Sequence, residues 1–179
     1  MAINTTRTHI LQAANHLVQR EGVAHLTIEA VAHEAGLSKG GILYHYPSKE
    51  ALIAGMVAFL LEDFDQDVQQ FITQEAPGPG RWLRAYIRAS NEDQFANDAY
   101  ASLLAAISTN PQLLEPMRQC YRIWQQQTEQ DGLPPALATV LRLAADGLWF
   151  ADLFGLATPS GQQRQQIIQT LLDLTKQSH

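Results

Sequence analysis

The sequence of 179 residues has little cysteine, few signals for β-strands and no long apolar run. Its single cysteine, Cys120, excludes an internal disulfide framework and a zinc site built only from cysteines. No apolar run reaches the roughly 18 to 20 residues that cross a bilayer. The polar N-terminus lacks the apolar core of a signal peptide. These absences predict a soluble, cytoplasmic protein, and 46% apolar residues allow it a sizeable core.

Motifs for catalysis are also missing. There is no Gly-rich phosphate loop and no nucleophile elbow. His9 and His16 are seven residues apart on one predicted helix, but the sequence offers them no evident third ligand. We therefore predict that the chain is not an enzyme and has no catalytic residues, no metal site and no cofactor.

Apolar residues at helical spacing run through almost the whole chain. The alternation typical of strands is nearly absent, and no Asn-Gly or Asp-Gly turn joins two strand-like runs. The pattern predicts an all-α fold of about nine helices. Four precede the Pro-Gly-rich segment 76–80, which is predicted to be a hinge or a corner loop, and the others lie near 81–94, 98–108, 111–130, 134–156 and 160–177.

Helix boundaries follow from capping residues. We predict that the first two helices stop at Gly22 and Gly36, where glycine can adopt the backbone that ends a helix. Side-chain caps are predicted at the starts of four helices, by Thr27, Ser38, Ser48 and Ser160, the last within a capping box, and Asn110-Pro111 starts another.

The net charge of −6 is unevenly spread along the chain. Residues 1–50 hold four cations and four acids, so residues 51–179 carry eight cations and fourteen acids, which accounts for the whole −6. This distribution permits a polyanion-binding module at the N-terminus but does not establish one.

The segment from Thr27 to Lys49 has the spacing of a helix-turn-helix, whose second helix can enter a major groove of DNA. That second helix opens with Ser38-Lys39-Gly40-Gly41. Two glycines form helix poorly, so they would be a defect unless the backbone must approach a phosphate or a base edge closely. The same geometry also occurs in helix pairs that never bind DNA, in which case these residues are ordinary surface.

The stretch from Leu26 to Ile53 resembles the DNA-binding signature of the TetR family of bacterial one-component repressors. The resemblance is detailed over about residues 5 to 60. It implies an N-terminal three-helix DNA-binding head in residues 1–47 and a C-terminal helical bundle for ligand binding and dimerisation in residues 48–179. The DNA contacts that it implies are Thr27, Ser38, Lys39, Gly40, Gly41, Tyr44, His45 and Lys49.

The sequence departs from the family pattern within the recognition helix. Leu43 stands where many members have a phosphate-binding tyrosine, which removes one contact and shifts binding toward Tyr44. Gly41 leaves a usual base-reading position without a side chain. Tyr46 matches the family's aromatic core position. The operator that is read therefore stays open.

Large apolar side chains follow the segment 76–80 and have two interpretations. They form ordinary core, or they line a mostly apolar pocket of the kind that binds small molecules. The family resemblance implies a pocket among these helices, with Arg88, Asn91, Arg122 and Asp146 as candidate polar partners. The predicted lining residues are Trp82, Tyr86, Phe95, Leu103, Ile107, Met117, Tyr121, Trp124 and Trp149.

The last two predicted helices carry apolar stripes that suit a four-helix dimer interface. The alternative is that these stripes face their own domain, and the family resemblance favours the dimer. The predicted interface residues are Leu141, Ala144, Leu148, Ala151, Ile168, Leu171 and Leu172.

Together these features predict a homodimeric, ligand-responsive transcriptional regulator, most simply a repressor. It would bind a pseudo-palindromic operator in double-stranded DNA and be released by a small, largely apolar effector. The alternatives are a small-molecule-binding helical protein with a vestigial DNA-binding head, and an adaptor whose first helices bind another protein. The effector, the operator and the regulated genes cannot be identified from the sequence.

Overall fold

The computed structural model describes residues 2–91 and 110–176, and these residues form α-helices and turns without a strand. The all-α prediction is confirmed. The helix predicted at 98–108 lies outside the described residues. The eight described α-helices are α1 (Ala2–Glu21), α2 (Ile28–Ala35), α3 (Lys39–His45), α4 (Lys49–Gln74), α5 (Arg81–Ala89), α6 (Glu115–Gln130), α7 (Pro135–Phe154) and α8 (Gly161–Leu174), with short 3₁₀ turns at Val23–His25 and Pro111–Leu114.

Local capping sets where α2, α3 and α4 begin and where α2 ends, as the sequence predicts. The hydroxyls of Thr27, Ser38 and Ser48 each accept a hydrogen bond from the backbone N–H three residues on, at 3.0–3.1 Å. Gly36 ends α2 with φ of 64°, in the left-handed region that glycine enters without strain. These caps fix where the turn between α2 and α3 lies.

The described residues divide into two compact units. The first contains residues 2–62 and 110–119, so it includes α1 to α3 and the first half of α4. Its core contains buried apolar side chains of α1 and α2 and of the segments that follow them. They are Ile10, Ala14, Leu17, Val18, Val31, Ala32 and Ala35, joined by Leu26, Ile42, Tyr46 and Met56.

The second unit contains the described residues 63–91 and 120–176, with α5 packed against α7 and α8. Helix α5 has Gly80 at its N-cap and no side-chain cap there. Instead the Asp131 carboxylate, about fifty residues later in the chain, accepts from the backbone N–H groups of Trp82 at 2.9 Å and Leu83 at 2.8 Å. A distant loop therefore supplies the cap that the local sequence lacks.

The Pro-Gly-rich segment 76–80 is a loop held in place by hydrogen bonds from arginine side chains. The buried Arg84 guanidinium donates to the Glu75 carboxylate and to the carbonyls of Pro79 and Ala76, at 2.8–3.1 Å. Arg81 donates to the carbonyl of Ile72 near the end of α4. Of the two predicted interpretations, the corner loop fits these bonds because two of them hold backbone carbonyls of the segment and the others tie α5 to Ile72 and Glu75 just before it.

Two helix boundaries differ from prediction. Helix α5 ends at Ala89, not near 94, and the Ser90 and Asn91 side chains bond back to the carbonyls of Tyr86 and Ile87. The predicted capping box at Ser160 is wrong, since its side chain makes no capping bond. The following residue, Gly161, has φ of 53°, which departs from helical geometry where the cap would form.

In the ranges described, no helix is both long enough and apolar enough to span a bilayer.

Candidate functional site

The helix-turn-helix presents α3 with one face buried and the other exposed. Ile42 is fully buried and Tyr46, just after the helix, is nearly so, and both anchor α3 in the first unit. Gly40 and Tyr44, on the opposite side of the helix, are exposed. Helix α3 is thereby fixed in orientation and leaves its outer face open to a large partner.

The predicted phosphate contacts Thr27 and Ser38 lie at the starts of α2 and α3, on the exposed surface. Their hydroxyl oxygens accept capping bonds from Ala30 and Gly41. A hydroxyl that accepts in a cap still has its proton to donate. Both residues can therefore serve a phosphate without loss of their structural role.

Lys39 forms an ion pair within the helix-turn-helix. Its Nζ lies 2.6 Å from Oε1 of Glu29, on the neighbouring helix α2, and both side chains are exposed. The hydrogen bond from this ammonium holds the pKa of the Glu29 carboxyl below its ordinary value. A phosphate that binds Lys39 must therefore compete with Glu29, a competition that the sequence pattern did not indicate.

The remaining predicted contacts follow on α3 and α4. Tyr44 is 78% exposed, and its ring meets the half-buried His45 edge to face at 5.0 Å. Lys49 is half-buried at the first residue of α4. Leu43 is 36% exposed, so the position that departs from the family pattern also reaches the surface.

The two glycines of α3 are not required by the packing of the chain. A Cβ added to Gly40 would have only the Ser38 hydroxyl within 4 Å, at 4.0 Å. A Cβ on Gly41 would meet the same oxygen at 3.4 Å, an ordinary contact. Neither residue has a positive φ. The packing of the described residues therefore leaves room for a larger residue at both positions.

The aromatic side chains predicted to line a pocket belong largely to the core of the second unit. Trp82, Tyr86 and Trp124 are buried. The Tyr86 ring contacts the rings of Phe64, Trp82 and Trp124, and Trp124 also contacts Phe64, at centroid distances of 5.0–5.7 Å. That these side chains also line a pocket stays a prediction. Met117, Tyr121 and Trp149 are half-buried, while Phe95, Leu103 and Ile107 lie outside the described residues.

A polar network borders this aromatic core. The Tyr86 hydroxyl donates to the Asp146 carboxylate at 2.6 Å, and Arg142 donates to the other oxygen of the same carboxylate. Arg142 also donates to Gln125 at 3.1 Å and lies over the Tyr121 ring at 5.7 Å. The polar partners predicted from the sequence include Asp146 but not Arg142. Their i, i+4 spacing on α7 is the sequence feature that indicates an ion pair between them.

Burial governs ionisation in this network. It raises the pKa of the Asp146 carboxyl, with the Tyr86 hydrogen bond and Arg142 acting in the opposite direction. It also raises the pKa of the Tyr86 and Tyr121 phenols well above their ordinary value. The network therefore offers neutral phenols beside a paired carboxylate, next to aromatic surface.

The other candidate polar partners are engaged elsewhere. Arg88 pairs with Glu75 at 2.7 Å, and the Asn91 side chain accepts from Arg164 at 3.0 Å. Arg122 is exposed on α6. In the described part of the chain, no group of three histidine, cysteine or acidic residues is placed to hold a metal ion.

The predicted dimer residues lie mostly inside the second unit. Leu141, Leu148, Leu171 and Leu172 are buried within the chain itself, whereas Ala144, Ala151 and Ile168 are half-buried. The side chains left open on α7 are instead Val140, Leu143, Phe150 and Phe154, between 43% and 61% exposed, with the exposed Gly147 among them. These five residues are here called the α7 stripe. The stripe begins one residue before Leu141, so it lies about 100° around the helix from the predicted interface residues.

Family models match two parts of the chain. Residues 10–56 match the model described as bacterial regulatory proteins, tetR family. Residues 80–176, more than half of the chain, match the model described as Tetracyclin repressor-like, C-terminal domain. The first match contains α2 and α3, and the second contains α5 to α8.

Individual relatives agree with these matches. The chain is 29% identical over 73 residues to the nucleoid occlusion factor SlmA of Marinomonas sp. (strain MWYL1), covering 41% of this chain and 37% of SlmA. The chain thus matches well under half the length of that relative.

Solved structures share the fold. A TetR transcription regulator from Haloarcula marismortui superposes with a TM-score of 0.72 at 18% identity, covering 97% of each chain. The multidrug binding protein EbrR complexed with malachite green gives 0.66 at 23% identity, covering 94% of this chain and 97% of EbrR.

Proposed function

Because the chain belongs to the tetR family of bacterial regulatory proteins, we propose that it is a ligand-responsive repressor that binds a pseudo-palindromic operator as a homodimer. Residues 1–47 form the DNA-binding head, with Lys49 at the start of α4 as a further DNA contact, and residues 48–179 bind the effector and form the dimer. The observation that carries the proposal is the exposed outer face of α3, whose two glycines are not required by any packing among residues 2–91 and 110–176.

The proposed DNA contacts divide by role. Thr27, Ser38, Lys39 and Lys49 bind phosphates, which position the head without reading sequence. Residues 40, 41, 44 and 45 lie along α3 and face the major groove or its edge. Two heads in a dimer double the phosphate contacts, so a chain of net charge −6 can still bind DNA strongly.

DNA selection from a random-sequence pool, with salt titration on the enriched sites, tests this function. We expect an inverted repeat whose half-sites are about one helical turn apart. Lys39→Ala should weaken binding and reduce the salt dependence by roughly one counterion per head. Lys176→Ala is the matched control, because Lys176 has the same 59% side-chain exposure and also pairs with an acid, Asp173.

The outcomes separate the alternatives. Enrichment of an inverted repeat that Lys39→Ala weakens and Lys176→Ala does not supports an operator reader. No enrichment at low salt would contradict it and favour the small-molecule-binding protein with a vestigial head. Equal loss in both variants would mean that general charge, and not the helix-turn-helix, attracts DNA.

The α7 stripe is the proposed dimer surface. Four large apolar side chains at helical spacing are uncommon on a surface that stays in water. Gly147 lies in the middle of the stripe, and a Cβ added there would meet nothing within 4 Å. A glycine at that position lets the same helix of a second copy approach closely.

Sedimentation of two charge variants tests the dimer. Leu143→Glu puts a carboxylate into the stripe and should give monomers at micromolar concentration. Ile123→Glu is the matched control, since Ile123 is equally exposed, at 54%, but lies on α6 and is not part of the stripe. If Leu143→Glu stays dimeric, or both variants dissociate equally, the stripe is not the interface.

The proposed effector is small and largely apolar, with at least one polar group. The Tyr86–Asp146–Arg142 network beside Tyr121 supports this, because it places hydrogen-bonding groups next to aromatic surface. A similar fold, EbrR, is titled as a multidrug binding protein and holds malachite green.

Malachite green is therefore the first probe for this site. Its affinity should fall when operator is present, because reciprocal coupling requires each ligand to weaken the other. Tyr121→Ala should reduce dye binding, while the matched change Tyr44→Ala, on α3, should not. Equal dye affinity with and without operator would contradict the release mechanism.

A further inference from the structure

We propose that α3 reads thymine through apolar contact between Leu43 and the C5-methyl group in the major groove. Gly40 and Gly41 allow the helix to come close enough for this contact. The inference rests on the proposed DNA-binding function and names the base on which its specificity depends.

The first step concerns the glycines. Helical glycine lowers stability relative to alanine because its backbone loses more conformational freedom on folding. Both glycines have room for a Cβ and neither needs a left-handed backbone. Two glycines in one helical turn lower the stability of α3, and the packing of the described residues requires neither of them. Their role is therefore to let the backbone of α3 approach DNA closely.

The second step concerns which chemical groups α3 offers to base edges. Lys39 is paired with Glu29, and Gly40 and Gly41 offer no side chain. The Ser38 hydroxyl caps its own helix, and its remaining proton is assigned to a phosphate. The other side chains of α3 that reach the surface are Leu43, Tyr44 and His45, and none of them has the amide or guanidinium group that usually reads adenine or guanine by paired hydrogen bonds.

The third step identifies the complementary base. The thymine methyl is the main apolar feature that the four base pairs display in the major groove. Leu43 is the exposed aliphatic side chain of α3, and it directly follows the buried anchor Ile42. That anchor holds Leu43 at a fixed position next to the exposed Tyr44 and about one helical turn from Gly40, whose lack of a side chain leaves room for a methyl group.

Substitution of uracil for thymine tests the contact, because uracil lacks only the methyl group. The probe is the inverted repeat obtained by selection, with one symmetric thymine pair replaced at a time. For the wild-type protein, we expect one such replacement to weaken binding about fourfold per half-site, or roughly fifteenfold for both. Leu43→Ala should bind the thymine operator more weakly and be insensitive to that replacement.

Leu43→Met is the conservative control, since it keeps an apolar side chain of similar volume and should retain the uracil sensitivity. Thermal unfolding of each variant shows that the fold is intact. Sensitivity that persists in Leu43→Ala would overturn the inference, as would an operator in which no thymine matters. In both cases the operator is still bound, so the proposed function stands. Failure to select any operator would remove both.

Discussion

Replacing a helical glycine by alanine is expected to have opposite effects on stability at Gly40 and Gly55. On α3, Gly40 has open space where a Cβ would lie. On α4, a Cβ at Gly55 would lie 2.5 Å from Cε1 and 3.3 Å from Cδ1 of Tyr46. The Tyr46 ring is buried and rigid, so it cannot move aside as the end of a flexible side chain would.

The magnitudes follow from two competing effects. Alanine raises helix stability by up to about 1 kcal/mol relative to glycine. Overpacking a buried site costs roughly 1–3 kcal/mol, and a 2.5 Å separation between carbons belongs near the upper end of that range. Gly40→Ala should therefore stabilise by about 0.5–1 kcal/mol, while Gly55→Ala should destabilise by about 2 kcal/mol.

Chemical denaturation and thermal melts measure this difference. Roughly 3 kcal/mol between the two variants corresponds to about 6–12 °C in Tm for a chain of this size. In the Gly55→Ala background, Tyr46→Leu should be less harmful than in the wild type, because it removes the clashing atom. Melting temperatures that shift in the same direction for both alanine variants would refute the reasoning. Gly40→Ala should also weaken operator binding despite its greater stability.

Three further predictions concern ionisable groups. Glu29→Gln should strengthen operator binding and steepen its salt dependence, because it releases Lys39 to bind a phosphate. Unchanged binding would show that Glu29 does not compete with phosphate for Lys39. Arg84→Ala should destabilise by about 3–5 kcal/mol in urea denaturation because it breaks a buried ion pair. Arg20→Ala, which removes only exposed pairs, should have a much smaller effect on stability than Arg84→Ala. Tyr86 has a raised folded-state pKa, so its contribution to stability is present below pH 10 and is lost as the pH rises above it. Tyr86→Phe should therefore lessen the alkaline loss of stability, measured by denaturation between pH 8 and pH 11.

Features set by neighbouring residues could be predicted from the sequence. The caps at Thr27, Ser38 and Ser48 each join groups three residues apart, so the sequence alone contains both partners. The left-handed backbone at Gly36 likewise follows from the residue type. For the same reason the order and type of the helices could be predicted before any contact was known.

Features set by residues distant in the chain could not be predicted from the sequence. Helix α7 has apolar side chains on two faces, one through Leu141 and the other through Leu143, and periodicity cannot distinguish which of them packs inward. The ion pair between Glu29 and Lys39, with which a phosphate must compete, depends on the angle between α2 and α3. The neighbours of Gly40 and Gly55 are likewise invisible in sequence, although they decide what each glycine does.

The cap supplied by Asp131 also affects the order in which the protein can fold. At nine residues, α5 is too short to persist alone in water. The backbone N–H groups at its start have no hydrogen-bond acceptor until the Asp131 carboxylate, 48 residues beyond Leu83, has been added to the chain. At a synthesis rate of roughly 5–20 residues per second, that carboxylate is added about 2–10 s after Leu83. During translation, α5 is therefore expected to become a stable helix only once the turn between α6 and α7 has been made.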